Sequence, residues 1–357
     1  MKDIFARIAR QTAAMFNRIL SLYHPRTLRE KGKLWASGLA TITLIVILFL
    51  LGIYWSIMPP PFDVRSHSND RLAELELKPV TGSYTTMTLL TAIKTLLEKP
   101  GGYLSNDITP PSVFLDNMPN WEFGVLTQVR DLARSLRNDM SRSQSQSLEN
   151  KDLAITEPQF NYSNDSWIFP STEGEYRQGI VALERYLKGL SADGNQNTQF
   201  YARADNLRDW LAVVEKRLGS LSQRLSASVG QQRINTDLAG DPSASQSTAT
   251  NQQMRVQTPW LEIDDVFYEA RGSTWALIHF LQAVEIDFYE ILRKKNALVS
   301  LRQIIRELEA TQAPISSPVV LNGKGFGIFA NYSLVMASYI SRANAAVIDL
   351  RNLLSQG

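Results

Sequence analysis

The longest apolar run of the chain lies near its start. No charged residue occurs between Lys33 and Asp63, and inside that window Leu39–Met58 reads LATITLIVILFLLGIYWSIM. Roughly 20 apolar residues at about 1.5 Å each cross about 30 Å of hydrocarbon. Trp35 stands near one end and Tyr54 and Trp55 near the other, where aromatic rings favour the bilayer interface. Pro59, Pro60 and Pro61 then stop the helix, because proline lacks the N–H and clashes with the preceding turn. The run is apolar on every face, unlike a soluble surface helix. It is longer than a signal-peptide core, and no small-x-small cleavage site follows it. The pattern predicts one transmembrane helix over 35–58.

Ahead of the span, Ile4, Phe5, Ile8, Met15, Phe16, Ile19, Leu20 and Tyr23 recur at roughly helical spacing, with Arg7, Arg10, Asn17 and Arg18 between them. Residues 1–34 therefore read either as an amphipathic helix on the inner leaflet or as a plain topogenic signal. Residues 59–84 are polar and mixed and read as a stalk. From Thr85 the spacing turns helical: Met87, Leu89, Leu90, Ile93, Leu96 and Leu97 form a stripe closed by Lys99-Pro100-Gly101-Gly102. A second helix is expected from Asn120, with Phe123, Leu126, Val129, Leu132, Ala133 and Leu136 inward. Residues 154–172 read as loop. Helices follow over about 173–190 and 200–226. Residues 227–258 are rich in Gly, Ser, Gln, Asn and Thr and have no aromatic residue, the composition of a disordered linker. Pro259–Ala310 predicts either one long helix bent at Gly272 or two helices meeting near Asn296. A last helix is expected over 329–354.

Only Val319-Val320-Leu321 could be a strand, so the fold class expected is all-α: a single N-terminal transmembrane helix followed by an antiparallel multi-helix bundle. Its outer part divides into 85–226 and 259–357, packed either as two sub-bundles or as one body with a long loop.

Charge adds direction. Net charge over 357 residues is only +2, which gives no reason to expect a nucleic-acid partner. Residues 1–34, however, hold eight basic side chains against two acidic ones, leaving a mildly acidic remainder. Positive charge flanking the span marks its cytoplasmic side. The expected location is a bacterial inner membrane, single-pass, N-terminus cytoplasmic and bulk periplasmic. The chain has no cysteine, which removes disulfides, thiolate metal sites and cysteine nucleophiles.

Little in the sequence points to catalysis. His24, His67 and His279 are the only histidines; no HExxH motif or Ser-His-Asp pattern is present. Asn322-Gly323-Lys324-Gly325-Phe326-Gly327 misses the phosphate-loop spacing and reads as a turn ahead of the last helix. Glu262, Asp264, Asp265, Glu269, Glu285, Asp287 and Glu290 crowd one long helix. They fit a solvated face, or a polar seam in which Glu285 meets Arg271 or Arg293. No cofactor and no metal is expected. The long loop Gly101–Trp121 is the more unusual feature, since loops of this length are often functional. With the Ser/Arg/Gln run after Met140, it nominates an interaction surface: Tyr103, Asn106, Asp107, Asn117, Asn120, Trp121, Glu122, Arg142 and Gln144.

The segments GGYLSND, LDNMPNWEFGVL and SRSQSQS, on a chain with one N-terminal membrane helix, resemble a family of proteobacterial inner-membrane proteins classed as a domain of unknown function. The resemblance implies a Gram-negative inner membrane and supplies neither an activity nor site residues. The function expected is a non-enzymatic envelope scaffold or interaction protein, with the lipid bilayer and an envelope protein or a second copy as partners. A periplasmic enzyme acting on cell-wall glycan or peptide through carboxylates, and a lipid or small-molecule carrier, are the alternatives.

Overall fold

A computed structural model describes residues 11, 13–15, 17–18, 21–142, 149–192, 198–234, 253–315, 317 and 319–356. The chain divides into two compact units, residues 1–54 and 55–357. In the first, a short helix α1 (Pro25–Lys31) precedes α2 (Lys33–Trp55). Apolar side chains of α2 such as Ile42, Leu44, Phe49 and Leu50 are exposed around it. By length and composition α2 can cross a membrane, and it is compatible with an anchor or a signal sequence. The expected amphipathic head, from Ile4 to Leu20, lies largely outside the described residues.

The second unit is helical: α3 (Val64–Glu74), α4 (Ser83–Glu98), α5 (Asn117–Ser135, continued by a π turn to Met140), α6 (Leu153–Phe160), α7 (Thr172–Ser191), α8 (Ala204–Ser226), α9 (Ile263–Asp287), α10 (Tyr289–Lys294), α11 (Leu298–Glu309) and α12 (Tyr332–Ser355). The helix α9 is its axis. Every residue from Ala270 to Leu281 is buried, because α4, α5, α8, α11 and α12 surround it. Its largest contact is with α5, from the other side of the linker, so the two helical halves form one body. The pairs Asn120–Asp265 and Gln128–Ser273 show that α5 and α9 start at the same end and run in the same direction. Antiparallel neighbours complete the bundle: Ser222 of α8 meets Ser341 of α12, and Arg342 of α12 meets Glu307 of α11.

The structure corrects several expectations. The stalk 59–84 is not a spacer. It contains α3, whose Val64, Ser68 and Leu72 are buried; the polar Ser68 in the middle of this stripe hides it from a hydrophobicity pattern. The loop expected over 154–172 begins with α6, which tolerates Pro158. The second helix starts at Asn117, capped by Asp116. Of the two readings of the long element, the break near Asn296 is the one observed, with a further break at Phe288 and an unbroken helix through Gly272. Asn296 sits at φ +53°, and the Ala297 N–H bonds back to Leu292 O at 2.8 Å, a left-handed helix stop. In the expected linker, Gln231–Ile234 and Gln253–Val256 pair as an antiparallel ribbon, and the residues between them lie outside the description. Val319-Val320-Leu321 leads only to an isolated bridge between Asn322 and Asn331.

Two side chains, the buried His279 and the half-buried Asp287, fasten the incoming segment. The Phe62 N–H donates to His279 Nε2 at 3.0 Å, and His279 Nδ1 lies 2.6 Å from Trp275 O. An accepting Nε2 fixes the proton on Nδ1. The Phe62 ring stacks on the imidazole at 4.0 Å. Burial above all, with His67 adding, pushes the His279 pKa down to about 4. One bundle end away, Asp287 accepts from Gly82 N, Thr85 N and Thr85 Oγ1 at 2.7–2.9 Å. It thus caps α4, whose own N-cap is a glycine. Burial pushes Asp287 up to about 6, against the pull of those donors.

These groups act in opposite senses on stability. Between pH 6.5 and 4 the unfolded chain protonates His279 and the native state does not. The His279 contribution is therefore complete above pH 6.5 and lost as pH falls through 4, about 3 kcal/mol in all. Between pH 3.8 and 6 the native state holds a proton on Asp287 that the unfolded chain releases. That contribution is complete below 3.8 and lost as pH rises through 6, also about 3 kcal/mol. Urea titrations of the full chain in detergent between pH 4 and 6.5 should separate them. Relative to the wild type, Asp287→Asn makes stability rise more steeply with pH, and His279→Gln makes it rise less or fall.

Candidate functional site

The nominated surface is not one surface. Trp121 and Glu122 are fully buried, and Tyr103 and Asn106 nearly so. Glu122 is the knot of the long loop: its carboxylate receives Lys99 Nζ at 2.6 Å, the Leu104 and Ser105 N–H groups at 2.9 Å, and the Ser105 hydroxyl. Lys99 also donates to Gly102 O at 2.6 Å. Burial pushes the Glu122 carboxyl up, while Lys99, Ser105 and the Leu104 N–H pull it back. Tyr103 donates to Asn164 O, and Asn106 to Ser166 O and Glu173. GGYLSND is thus a self-fastened loop, and its Tyr103, Ser105 and Asn106 side chains are spent inward. Asp107, Asn117 and Asn120 are half-buried, with Asn120 donating to Asp265 at 2.6 Å. Arg142 is bonded to Glu149 just past the far end of α5, roughly 30 Å from Asn120 at 1.5 Å per residue. Gln144 lies outside the described residues. The expected contact role of Trp121, Glu122, Tyr103 and Asn106 is therefore corrected to a structural one.

Most acidic residues of α9 are also paired. Glu269 pairs with Arg224 and Glu285 with Arg302. Arg293 pairs with Glu290, and Arg271 has no carboxylate partner among the described residues. The seam expected between Glu285 and Arg271 or Arg293 does not form.

What the structure does gather is apolar. The second unit begins at Trp55, which packs on Gly101; a Cβ there would sit 2.7 Å from the indole. Gly101 leads to Leu104, Leu104 to Glu122 and, two residues earlier on α5, Asn120 to Asp265 near the start of α9. The starts of α5 and α9, the ends of α8 and α11 and the start of α12 share this end of the bundle. Three loops protrude from it. Val113 and Phe114, before α5, are 52% and 78% exposed. Trp260 and Leu261, before α9, are 78% and 76% exposed. The third is the glycine-rich turn ahead of α12. Asn331 ties its base by donating to Asn322 Oδ1 and Gly323 O, and Asn322 donates to Ser228 O. This base holds Phe326, Ile328 and Phe329 at the tip, the first two fully exposed.

Behind that turn lies a pocket of about 220 Å³ between α9, the end of α11 and the first two turns of α12. Its walls are Phe267, Ala310, Ala313, Pro314, Ile315, Tyr332, Val335, Met336 and Tyr339, with Thr311 and Arg271 the polar members. The signal for this end was visible in the sequence as Trp260-Leu261 and Phe326-Gly327-Ile328-Phe329. Isolated apolar residues in loops carry no periodicity, so spacing alone does not single them out.

A family model described as an uncharacterized protein conserved in bacteria (DUF2333) matches residues 28–357. No curated protein and no solved structure matches.

Proposed function

The chain belongs to the bacterial DUF2333 family, and on that premise we propose that it is a single-pass scaffold of the bacterial inner membrane, with its N-terminus cytoplasmic and its bundle in the periplasm, seated on the outer leaflet. The carrying observation is the exposed apolar set Val113, Phe114, Trp260, Leu261, Phe326, Ile328 and Phe329 at the end of the bundle where the chain arrives from α2. The family match begins at residue 28 and so includes α2, which supports an anchor over a removed leader. In this reading the chain leaves the anchor at Trp55, and the loops at the same end of the bundle are the ones offered to the bilayer. Isolated apolar tips on a soluble face are ordinary, but three loops converging at one end mark an interaction site. Aromatic rings prefer the interface, and each buried large apolar side chain contributes about 1.5–3 kcal/mol. Asp116, Glu262, Asp264 and Asp265 share this end, so apolar insertion drives the contact and added salt should weaken it little. The scaffold reading, over a carboxylate enzyme, is supported by the structural partners that Glu269, Glu285, Asp287 and Glu290 already have.

The absence of cysteine makes the test clean. Single-cysteine variants Ile328→Cys and Val299→Cys of the full chain carry a spin label in liposomes. Val299 is exposed at the start of α11, toward the opposite end. Oxygen should collide preferentially with the Ile328 label and a water-soluble nickel chelate with the Val299 label. Equal accessibility at both sites would sink the seating. In whole cells, an impermeant maleimide should label Val299→Cys once the outer membrane is opened; labelling only after the inner membrane is lysed would reverse the orientation.

A further inference from the structure

Arg271 is 5% exposed, lies on the central helix, and has no carboxylate partner among the described residues. Two of its nitrogens are used: Nη1 donates to Ala313 O at 2.9 Å and Nη2 to Gln312 O at 3.2 Å. These carbonyls follow α11, and the negative end of that helix offsets part of the charge. The Nε–H has no acceptor among the described residues, and Phe267 is the aromatic neighbour, with its ring 6.0 Å from Cζ. A buried guanidinium without an anion is costly, and an Arg fork favours carboxylates and phosphates. The larger cleft beside the incoming segment, about 350 Å³, offers no such demand, because its Lys94, Arg71 and Lys99 are paired with Glu184, Glu74 and Glu122.

We infer that the Arg271 pocket is a binding site for a single-chain amphiphile with a carboxylate head, the head completing the Arg271 charge and the chain lying along Ile315, Met336 and Tyr339. At the ~30 Å³ share of a water-sized group, the cavity holds about seven such groups. This is the size of a short acyl chain, or of the head and upper part of a longer one. The apolar walls reject a bare inorganic anion, and the cation rejects a neutral alkane. The pocket lies within two helical turns of the loop tipped by Phe326 and Ile328, so an amphiphile partitioned in a membrane would have a short path to it.

The experiment is calorimetric titration of the full chain, held in an amphipathic polymer without lipid, with sodium octanoate and separately with octanol, each corrected for polymer alone. Octanoate should bind about tenfold or more tightly than octanol, the preference expected for one charge-assisted contact. Val335→Trp, at an exposed position on the pocket wall, should abolish octanoate binding while leaving thermal unfolding unchanged. Arg271→Met, which keeps the packed stem, should reduce octanoate to the level of octanol. Equal binding of the two probes by the wild type, a preference that survives either substitution, or no binding at all would overturn the assignment. An octyl phosphate arm identifies the head: binding tighter than octanoate would replace the carboxylate with a phosphate. No bilayer enters this assay, so its failure and the failure of membrane seating are separate results.

Discussion

Replacing Glu122 by alanine should destabilise the bundle by about 3–5 kcal/mol, the cost of stripping one partner from a buried ion pair. The magnitude follows from what the carboxylate leaves behind. The Lys99 side chain is 1% exposed and its Nζ keeps only Gly102 O, so a charge stays buried with one neutral acceptor. The Leu104 and Ser105 N–H groups lose their partner at the same time, and each unsatisfied buried donor adds about 1–3 kcal/mol. Part of this is recovered as the loop swings open to water, which is why the sum is not expected in full. Glu122→Gln should fall between alanine and wild type, because an amide has one acceptor oxygen and turns its NH2 toward another donor. Lys99→Met alone should also be severe, leaving the Glu122 carboxylate buried without its cation. The double variant Lys99→Met, Glu122→Met should be less destabilised than the sum of its single changes. Urea unfolding of the full chain in detergent, read by tryptophan fluorescence, measures all four. An alanine variant within about 0.5 kcal/mol of wild type would show that the loop is not fastened through Glu122.

That knot also shows where sequence reading stops. The helices were legible because their stripes are continuous: Leu89 to Leu97 on α4 and Leu207 to Leu225 on α8 are all-apolar faces, and both are buried as the spacing requires. The membrane-length helix was legible for the same reason. α3 was not, because a polar Ser68 occupies its inward stripe, and neither was α6, because Pro158 reads as a break. The nominated surface failed on a different ground. Polar and aromatic residues in a long loop look available for a partner, but here Tyr103, Asn106 and Glu122 satisfy the loop's own backbone and neighbours. Whether such a side chain turns inward depends on residues distant in the chain, such as Asn164 and Ser166, that spacing cannot place. Arg271 has the same character. Its sequence neighbourhood suggested a seam with Glu285, whereas three-dimensional packing puts it beside the carbonyls of Gln312 and Ala313. The exposed apolar residues Phe114, Trp260 and Phe326 are scattered over three loops, and only the fold brings them to one end.

Gly272→Ala should be strongly disruptive for a single added methyl, costing about 3 kcal/mol or more. Glycine in the middle of a helix is ordinarily a weakness, and alanine there gains about 1 kcal/mol from propensity. At Gly272 the added Cβ would stand 1.9 Å from Trp121 O and 2.8 Å from Trp121 C. Both are backbone atoms of α5, so no rotamer change relieves the overlap. On the facing helix, a Cβ at Gly124 would stand 2.0 Å from Glu269 O and 2.6 Å from Ser273 N. The two glycines let the α5 and α9 backbones touch, and this contact is the central joint of the bundle. Overpacking typically costs about 1–3 kcal/mol when side chains can shift; here whole helices must part, loosening Trp121 and Trp275, which lie 5.3 Å apart at the joint. Gly124→Ala should behave alike. The double variant should cost less than the sum of the two single changes, because the first methyl already opens the gap that the second needs. Gly219→Ala on α8 is the control, since its Cβ meets only Asn344 Nδ2 at 3.6 Å. There the propensity gain should stand alone and raise the urea midpoint. If Gly272→Ala raised it too, the close approach of α5 and α9 would be wrong, and with it the parallel pairing that brings the three apolar loops to one end.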